Sequence, residues 1–228
     1  MYVSKEEWIL RACSGRSVLH LGCVGFTDIH PEARVRAAQQ SLHWKLTQCA
    51  DVVGVDRSTD VIDELRNRGI FDNLVPGDVE HLDQLPLDRR FEVVVAGDII
   101  EHLSNPGRML DGIRRFCTET TQVIITTPNA FGAPNFLRQA LGRFHEGAEH
   151  VMSFNEQNLL TLLARHGYLV AESHTCFQPR SANTRSRLVF GAGKSMLRAF
   201  PRLGGTLLVV ATPALPVALS PQFTPPRT

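Results

Sequence analysis

The run Val18-Leu19-His20-Leu21, breaking into Gly22-Cys23-Val24-Gly25, constrains this chain more than any other segment. An apolar stretch of strand length that ends in glycines sets a tight turn at a strand's carboxyl end, where backbone can approach a ligand closely. The same logic recurs at Val52-Val53-Gly54-Val55-Asp56, whose apolar run ends on a carboxylate able to hold two vicinal hydroxyls. Phe91 to Ala96 is a third apolar run, as expected of a central parallel strand buried on both faces, and Gln122 to Thr127 is a β-branched fourth ended by Pro128-Asn129. Helical patterns alternate with these runs. Ser4 and Glu7 have capping-box spacing ahead of Trp8, Ile9 and Ala12; Pro31 to Ala50 repeats Ala33, Ala37, Leu42 and Leu46 at helical spacing; Ser58 to Arg68 is closed by Gly69; Pro106 to Phe116 follows the third run. With Asn73 to Gly77, Tyr168 to Thr175 and Thr206 to Thr212 as further strands, the pattern predicts an α/β fold with a doubly wound, mostly parallel seven-stranded sheet.

Length and composition bound the rest. A chain of 228 residues suits one sizeable core, so residues 1–212 are expected to form a single domain. A looser stretch, Ala130 to Met152, with Gly132, Pro134, Gly142 and Gly147, reads as a lid or substrate loop, and Asn155 caps a helix stopped by Gly167. Arg180 to Arg202 is a basic insertion, and Pro213 to Thr228 a proline-rich, disordered tail. A net charge of +1 argues against long nucleic acid as a partner. The five cysteines include no C-x-x-C pair, no apolar run approaches the roughly 20 residues of a membrane span, and the N-terminus carries no basic-then-apolar leader. The expectation is a reduced, cytoplasmic protein, with a homodimer open.

Gly22, Cys23 and Gly25 fall at the predicted carboxyl edge of the sheet, where open α/β sheets bind ligands. A dinucleotide site wants G-x-G-x-x-G opening directly into a helix; this chain offers only G-x-x-G before Phe26, which points to a nucleoside cofactor without a pyrophosphate. On these residues the stretch Ser17 to Tyr168 resembles class I S-adenosylmethionine-dependent methyltransferases. The resemblance implies that the turn Gly22 to Gly25 touches the methionine part of the cofactor. It implies that Asp56, with Arg57 beside it, binds the ribose hydroxyls, that Asp78 and Val79 meet adenine, and that backbone near Gly97 contacts the amino acid end. The chain departs from the family where His20 stands for an acidic residue and Val24 and Phe26 for glycines, leaving the cofactor's ammonium to backbone carbonyls or water.

The second informative segment is Gly97-Asp98-Ile99-Ile100-Glu101-His102-Leu103. In a helical turn, Asp98, Glu101 and His102 at i, i+3 and i+4 share a face. Two carboxylates and an imidazole could bind a divalent cation, could orient His102 as a base on Glu101, or could simply cap a helix start and offset its dipole. The segment resembles the E-x-x-E-H motif of small-RNA 3′-terminal 2′-O-methyltransferases and ubiquinone-pathway O-methyltransferases. That resemblance implies His150 as a fourth member, with Asp98, Glu101, His102 and His150 as metal ligands for magnesium or zinc, or Glu101, His102 and His150 as catalytic residues. Phe131, Phe136, Leu137 and Phe144 could line an apolar acceptor pocket or pack as core contacts of a short helix. The order of segments is most similar to bacterial O-methyltransferases of secondary-metabolite, quinone or cell-surface sugar pathways. RNA-terminal 2′-O-methylation and a non-catalytic cofactor-binding role remain the alternatives.

Overall fold

The computed structural model describes residues 4–25, 29–142, 149–176 and 200–214. Among them are seven strands: β1 (Ser17–Leu21), β2 (Asp51–Asp56), β3 (Leu74–Pro76), β4 (Phe91–Gly97), β5 (Cys117–Pro128), β6 (Tyr168–Cys176) and β7 (Thr206–Pro213). They form one sheet in the order β3-β2-β1-β4-β5-β7-β6, parallel from β3 to β5, with β7 antiparallel to both its neighbours. The mostly parallel, doubly wound sheet read from the sequence is therefore the fold. Its winding reverses between β1 and β4, the switch point where such sheets open a crevice at their carboxyl edge.

Seven α-helices accompany the described strands: α1 (Lys5–Cys13), α2 (Pro31–Ala38), α3 (Leu42–Thr47), α4 (Thr59–Asn67), α5 (Pro106–Ile113), α6 (Ala133–Ala140) and α7 (Glu156–Arg165). Alternation along each strand divides the core. Leu19, Leu21, Val94 and Ala96 face one layer with Met109, Leu110 and Ile113 of α5 and Leu159 and Leu163 of α7, while Val18, Val93 and Val95 face the other with Ile9 and Cys13 of α1 and Leu46 of α3. Burial on both faces is why β1 and β4 read as apolar runs, interrupted only by His20 in the first and the exposed Glu92 in the second.

The caps follow the sequence. Ser4 Oγ accepts from the Glu7 N–H, and Asn155 and Asn158 exchange side-chain to backbone bonds at the start of α7. The single helix expected over Pro31 to Ala50 is instead two. After Ala38 the chain turns, and Ser41 starts a new helix by accepting from the Trp44 N–H at 3.1 Å while donating to the Ala38 carbonyl at 2.7 Å. A serine hydroxyl that satisfies both helix ends competes with continuation, and a helical spacing pattern is blind to it. Within the expected lid, Ala133–Ala140 forms α6, which has no buried residue. Phe136 and Leu137 are about two-thirds exposed, as is Phe131, so they are not core contacts. Phe26, Phe144 and Gly147, most of the Arg180 to Arg202 insertion and the tail beyond Ala214 lie outside the described residues.

Candidate active site

The register aligns the candidate residues along one edge. Leu21 pairs with Val55 and Ala96, Asp56 with Pro76, and Gly97 with Thr126. The residues that leave the sheet just beyond, Gly22, Arg57, Gly77 and Asp98, therefore emerge side by side at the switch point. Gly22 has φ +65°, and a Cβ there would sit 2.7 Å from Ile99 Cδ1. Only glycine fits this turn without displacing the Ile99 side chain, and the contact packs the 98–102 segment against the turn. Cys23 belongs to the turn through its backbone alone; its side chain is buried towards Gly54.

Asp56 ends β2 almost fully buried. Its Oδ2 accepts from the Val24 N–H at 2.8 Å and its Oδ1 from the Ser58 N–H at 3.0 Å. A carboxylate offers about four acceptor positions, so each oxygen keeps capacity for a further donor. A carboxylate oriented by the backbone of the glycine turn, with spare lone pairs on both oxygens, fits a ribose diol. Arg57 and Gly25 are exposed, Val79 is buried, and half-exposed Asp78 caps the 3-10 segment Val79–Gln84 through the Glu80 N–H at 2.8 Å. A methyl group at Gly97 would make only ordinary contact, 3.7 Å from Thr126 Oγ1, so that position does not demand glycine sterically.

His20 does not face this edge. Its Nδ1 lies 3.2 Å from His43 Nδ1 in a stacked, buried pair, and His43 Nε2 reaches Asn73 Oδ1 at 3.3 Å. Burial, reinforced for His20 by its neighbour, pulls both imidazoles down, His43 to about 4, so the pair is neutral at physiological pH.

Beyond β4 the chain does not form the helical turn expected from Asp98 onward. Asp98 takes a left-handed φ of +49°, and a 3-10 turn covers only Ile100–His102. Asp98 is held there by Thr126, whose hydroxyl donates to Oδ1 at 2.9 Å, and by an ion pair with Lys5 of α1. Its carboxylate is thereby drawn to α1 and β5. Glu101, His102 and His150 do converge: one ligand atom from each lies within 4.8 Å of the others. The two imidazoles meet edge to face with centroids 4.7 Å apart, and Glu149 Oε2 stands 3.9 Å from His102 Nδ1. Glu101 is 2% exposed and accepts from the Thr127 hydroxyl at 2.9 Å, while its carbonyl accepts from the Val151 and Met152 N–H groups and so ties the His150 segment to the turn. Burial pushes the Glu101 carboxyl up to about 7, with the Asp98 charge adding to it and Thr127 and Lys5 opposing. A buried carboxyl that titrates near neutrality, beside two imidazoles, can exchange a proton with a bound hydroxyl. Sequence reasoning missed Thr127, Lys5 and His43 as the partners of Glu101, Asp98 and His20; Lys5 lies 93 residues from Asp98, and no local signal joins them.

A methyltransferase-domain family profile matches residues 30–173, more than half of the chain. The chain belongs to that family. No curated protein matches it in sequence. Among solved structures it is similar to an S-adenosylmethionine-dependent methyltransferase, a possible histamine N-methyltransferase, from Thermotoga maritima (15% identity, TM-score 0.59, covering 93% of this chain and 89% of that one). It is similar to a SAM-dependent methyltransferase from Archaeoglobus fulgidus (18%, 0.53, 91% and 94%) and to magnesium protoporphyrin IX methyltransferase from Synechocystis PCC 6803 with bound S-adenosylhomocysteine (13%, 0.54, 92% and 80%). At these identities the likeness is one of fold, and that fold is the one used by S-adenosylmethionine-dependent methyltransferases. The methyltransferase class thus stands on the family, and the donor that goes with that family is S-adenosylmethionine. No described helix is long and apolar enough to cross a membrane.

Proposed function

We propose that this methyltransferase moves the methyl group of S-adenosylmethionine to an oxygen of a small-molecule acceptor, with Glu101, His102 and His150 at the acceptor end of the site. The observation that carries the reading is the convergence of these three side chains within 4.8 Å, one segment away from the glycine turn that Ile99 packs against. The bound cofactor supplies an electrophilic methyl group on a sulfonium. The acceptor's oxygen forms its bond to that carbon as the carbon–sulfur bond breaks, S-adenosylhomocysteine departs, and the hydroxyl proton passes to the Glu101–His102 pair. Alignment of acceptor and donor supplies much of the acceleration, and a base that titrates near 7 supplies the nucleophile at neutral pH.

A second reading has an observation of its own. One carboxylate and two imidazoles are a donor set suited to a divalent transition metal such as zinc, and the same three residues would hold it. Asp98, tied to Lys5 and Thr126, stands apart from that set.

A panel of phenols, sugars, amines and RNA ends, assayed with radiolabelled methyl donor, tests the acceptor class. Turnover on hydroxyl acceptors that falls in Glu101→Gln and His102→Ala, with cofactor affinity retained, supports the oxygen reading; transfer to amines alone, or unchanged rates, sinks it. Chelator-sensitive activity restored by one divalent ion selects the metal reading over the free base.

A further inference from the structure

Five of the six most exposed large apolar side chains among the described residues other than Leu169, namely Phe131, Phe136, Leu137, Leu141 and Val151, belong to the stretch on the two sides of residues 143–148; the sixth is Phe200. The start of that stretch is joined in space to the segment that holds Phe200. The Ala133 N–H donates to the Leu203 carbonyl at 2.9 Å, Asn129 Nδ2 reaches the Arg202 and Gly204 carbonyls at 3.2 and 2.8 Å, and Gly132 abuts Gly204. The Phe200–Leu203 return and α6 therefore form one surface beside the mouth of the site, where Val151 is bonded to the Glu101 carbonyl. An α-helix whose every residue is at least partly open to solvent gains nothing from the core, and its Phe and Leu side chains await another apolar phase.

Charge says which phase. No Asp or Glu follows Glu172, and the seven cations after it leave residues 1–172 with 17 Lys and Arg against 23 carboxylates, a net charge of −6. The chain as a whole is nearly neutral, yet it is polarised, and one of those seven cations, Arg202, 86% exposed and 3.6 Å from Glu156, stands on the same surface as α6 and its Arg138. Exposed aromatic and aliphatic side chains flanked by guanidinium groups match the layered chemistry of an anionic bilayer, acyl chains beneath phosphates.

We propose that the surface formed by α6 and the Phe200–Leu203 segment docks on anionic phospholipid membranes, presenting the site to acceptors dissolved in or attached to the lipid. The proposal goes beyond the reading of the catalytic site and does not depend on it. The test is flotation of the full chain with phosphatidylcholine vesicles, with and without roughly one-third phosphatidylglycerol. Binding is expected to the anionic vesicles and to weaken with salt. Reversing Arg138 and Arg202 to Glu should lower it by at least ~5-fold per site, the worth of a juxtamembrane cation. Phe136→Ser with Leu137→Ser should abolish it while S-adenosylhomocysteine affinity and thermal unfolding stay unchanged, because neither side chain is buried. Leu169→Ser, an equally exposed residue at the far end of β6, should have no effect. Three results overturn the proposal: no vesicle binding; vesicle binding indifferent to the α6 pair; or a dimer in sedimentation velocity, or tighter binding of single-stranded RNA, that is lost with that pair in place of lipid binding. Vesicle binding by a chain that fails to bind S-adenosylhomocysteine would remove the proposed function and leave the surface standing.

Discussion

Glu101→Gln is expected to stabilise the protein at alkaline pH while disabling it. The carboxyl is 2% exposed, and its pKa stands at about 7 against an ordinary 4.5. For an acid whose folded pKa is raised, the folded state holds its proton more tightly than the unfolded chain. Stability is therefore undiminished below pH 4.5, declines as pH rises from there to 7, and stays low above. At 1.36 kcal/mol for each unit, the shift from 4.5 to about 7 corresponds to a penalty of roughly 3 kcal/mol at pH 8. Glutamine is nearly isosteric, its Oε1 can accept from the Thr127 hydroxyl as Glu101 Oε2 does at 2.9 Å, and it never ionises. Urea unfolding of both proteins at pH 4.5 and pH 8 isolates the effect, since titrating groups that do not interact with Glu101 cancel in the difference. The two should be close at the lower pH, and the variant should lead by up to about 3 kcal/mol at the higher one, with its turnover much reduced. Parallel stability profiles would show that Glu101 is solvated or ion-paired in the folded protein, and the reasoning would fail with it.

The buried His20–His43 pair acts at the other end of the scale. Both imidazoles are neutral when folded and charge when unfolded, so stability is full above pH 6.5 and lost as pH falls from there towards 4; replacing both with Leu should flatten that slope in equilibrium unfolding. Asn155→Ala removes half of the reciprocal cap of α7 and should cost ~1 kcal/mol, read from the urea midpoint. Leu110→Ala, at a fully buried position of α5 in the larger core layer, should cost about 2–5 kcal/mol in the same assay.

The strands were legible because burial on both faces writes β1, β2 and β4 as apolar runs, and the caps because Ser4, Gly69, Asn155 and Gly167 signal ends locally. The break at Ser41 was not, since Ala33, Ala37, Leu42 and Leu46 keep a helical spacing across it. That the candidate cofactor residues gather at one edge could be read from Gly22, Asp56 and Gly97, which lie at one level by register where strands end. The geometry of the acidic segment could not. A left-handed Asp98 depends on Lys5 and Thr126, groups distant in sequence, and it removes the helical face on which Asp98 and Glu101 were expected to meet. His20 likewise acquires its role from His43, which lies on a helix the sequence pattern had merged with its neighbour.

Calorimetric titration with S-adenosylhomocysteine, on the wild type and on Asp56→Ala, bears most directly on the central claim that the Gly22–Asp56 edge holds a sulfonium nucleoside. Each charge-assisted bond to a diol hydroxyl is worth about 1.5–3 kcal/mol, so the account predicts saturable one-site binding by the wild type and at least a ~10-fold weaker affinity in a folded Asp56→Ala. No binding by the wild type, or equal affinity in the variant, would contradict it.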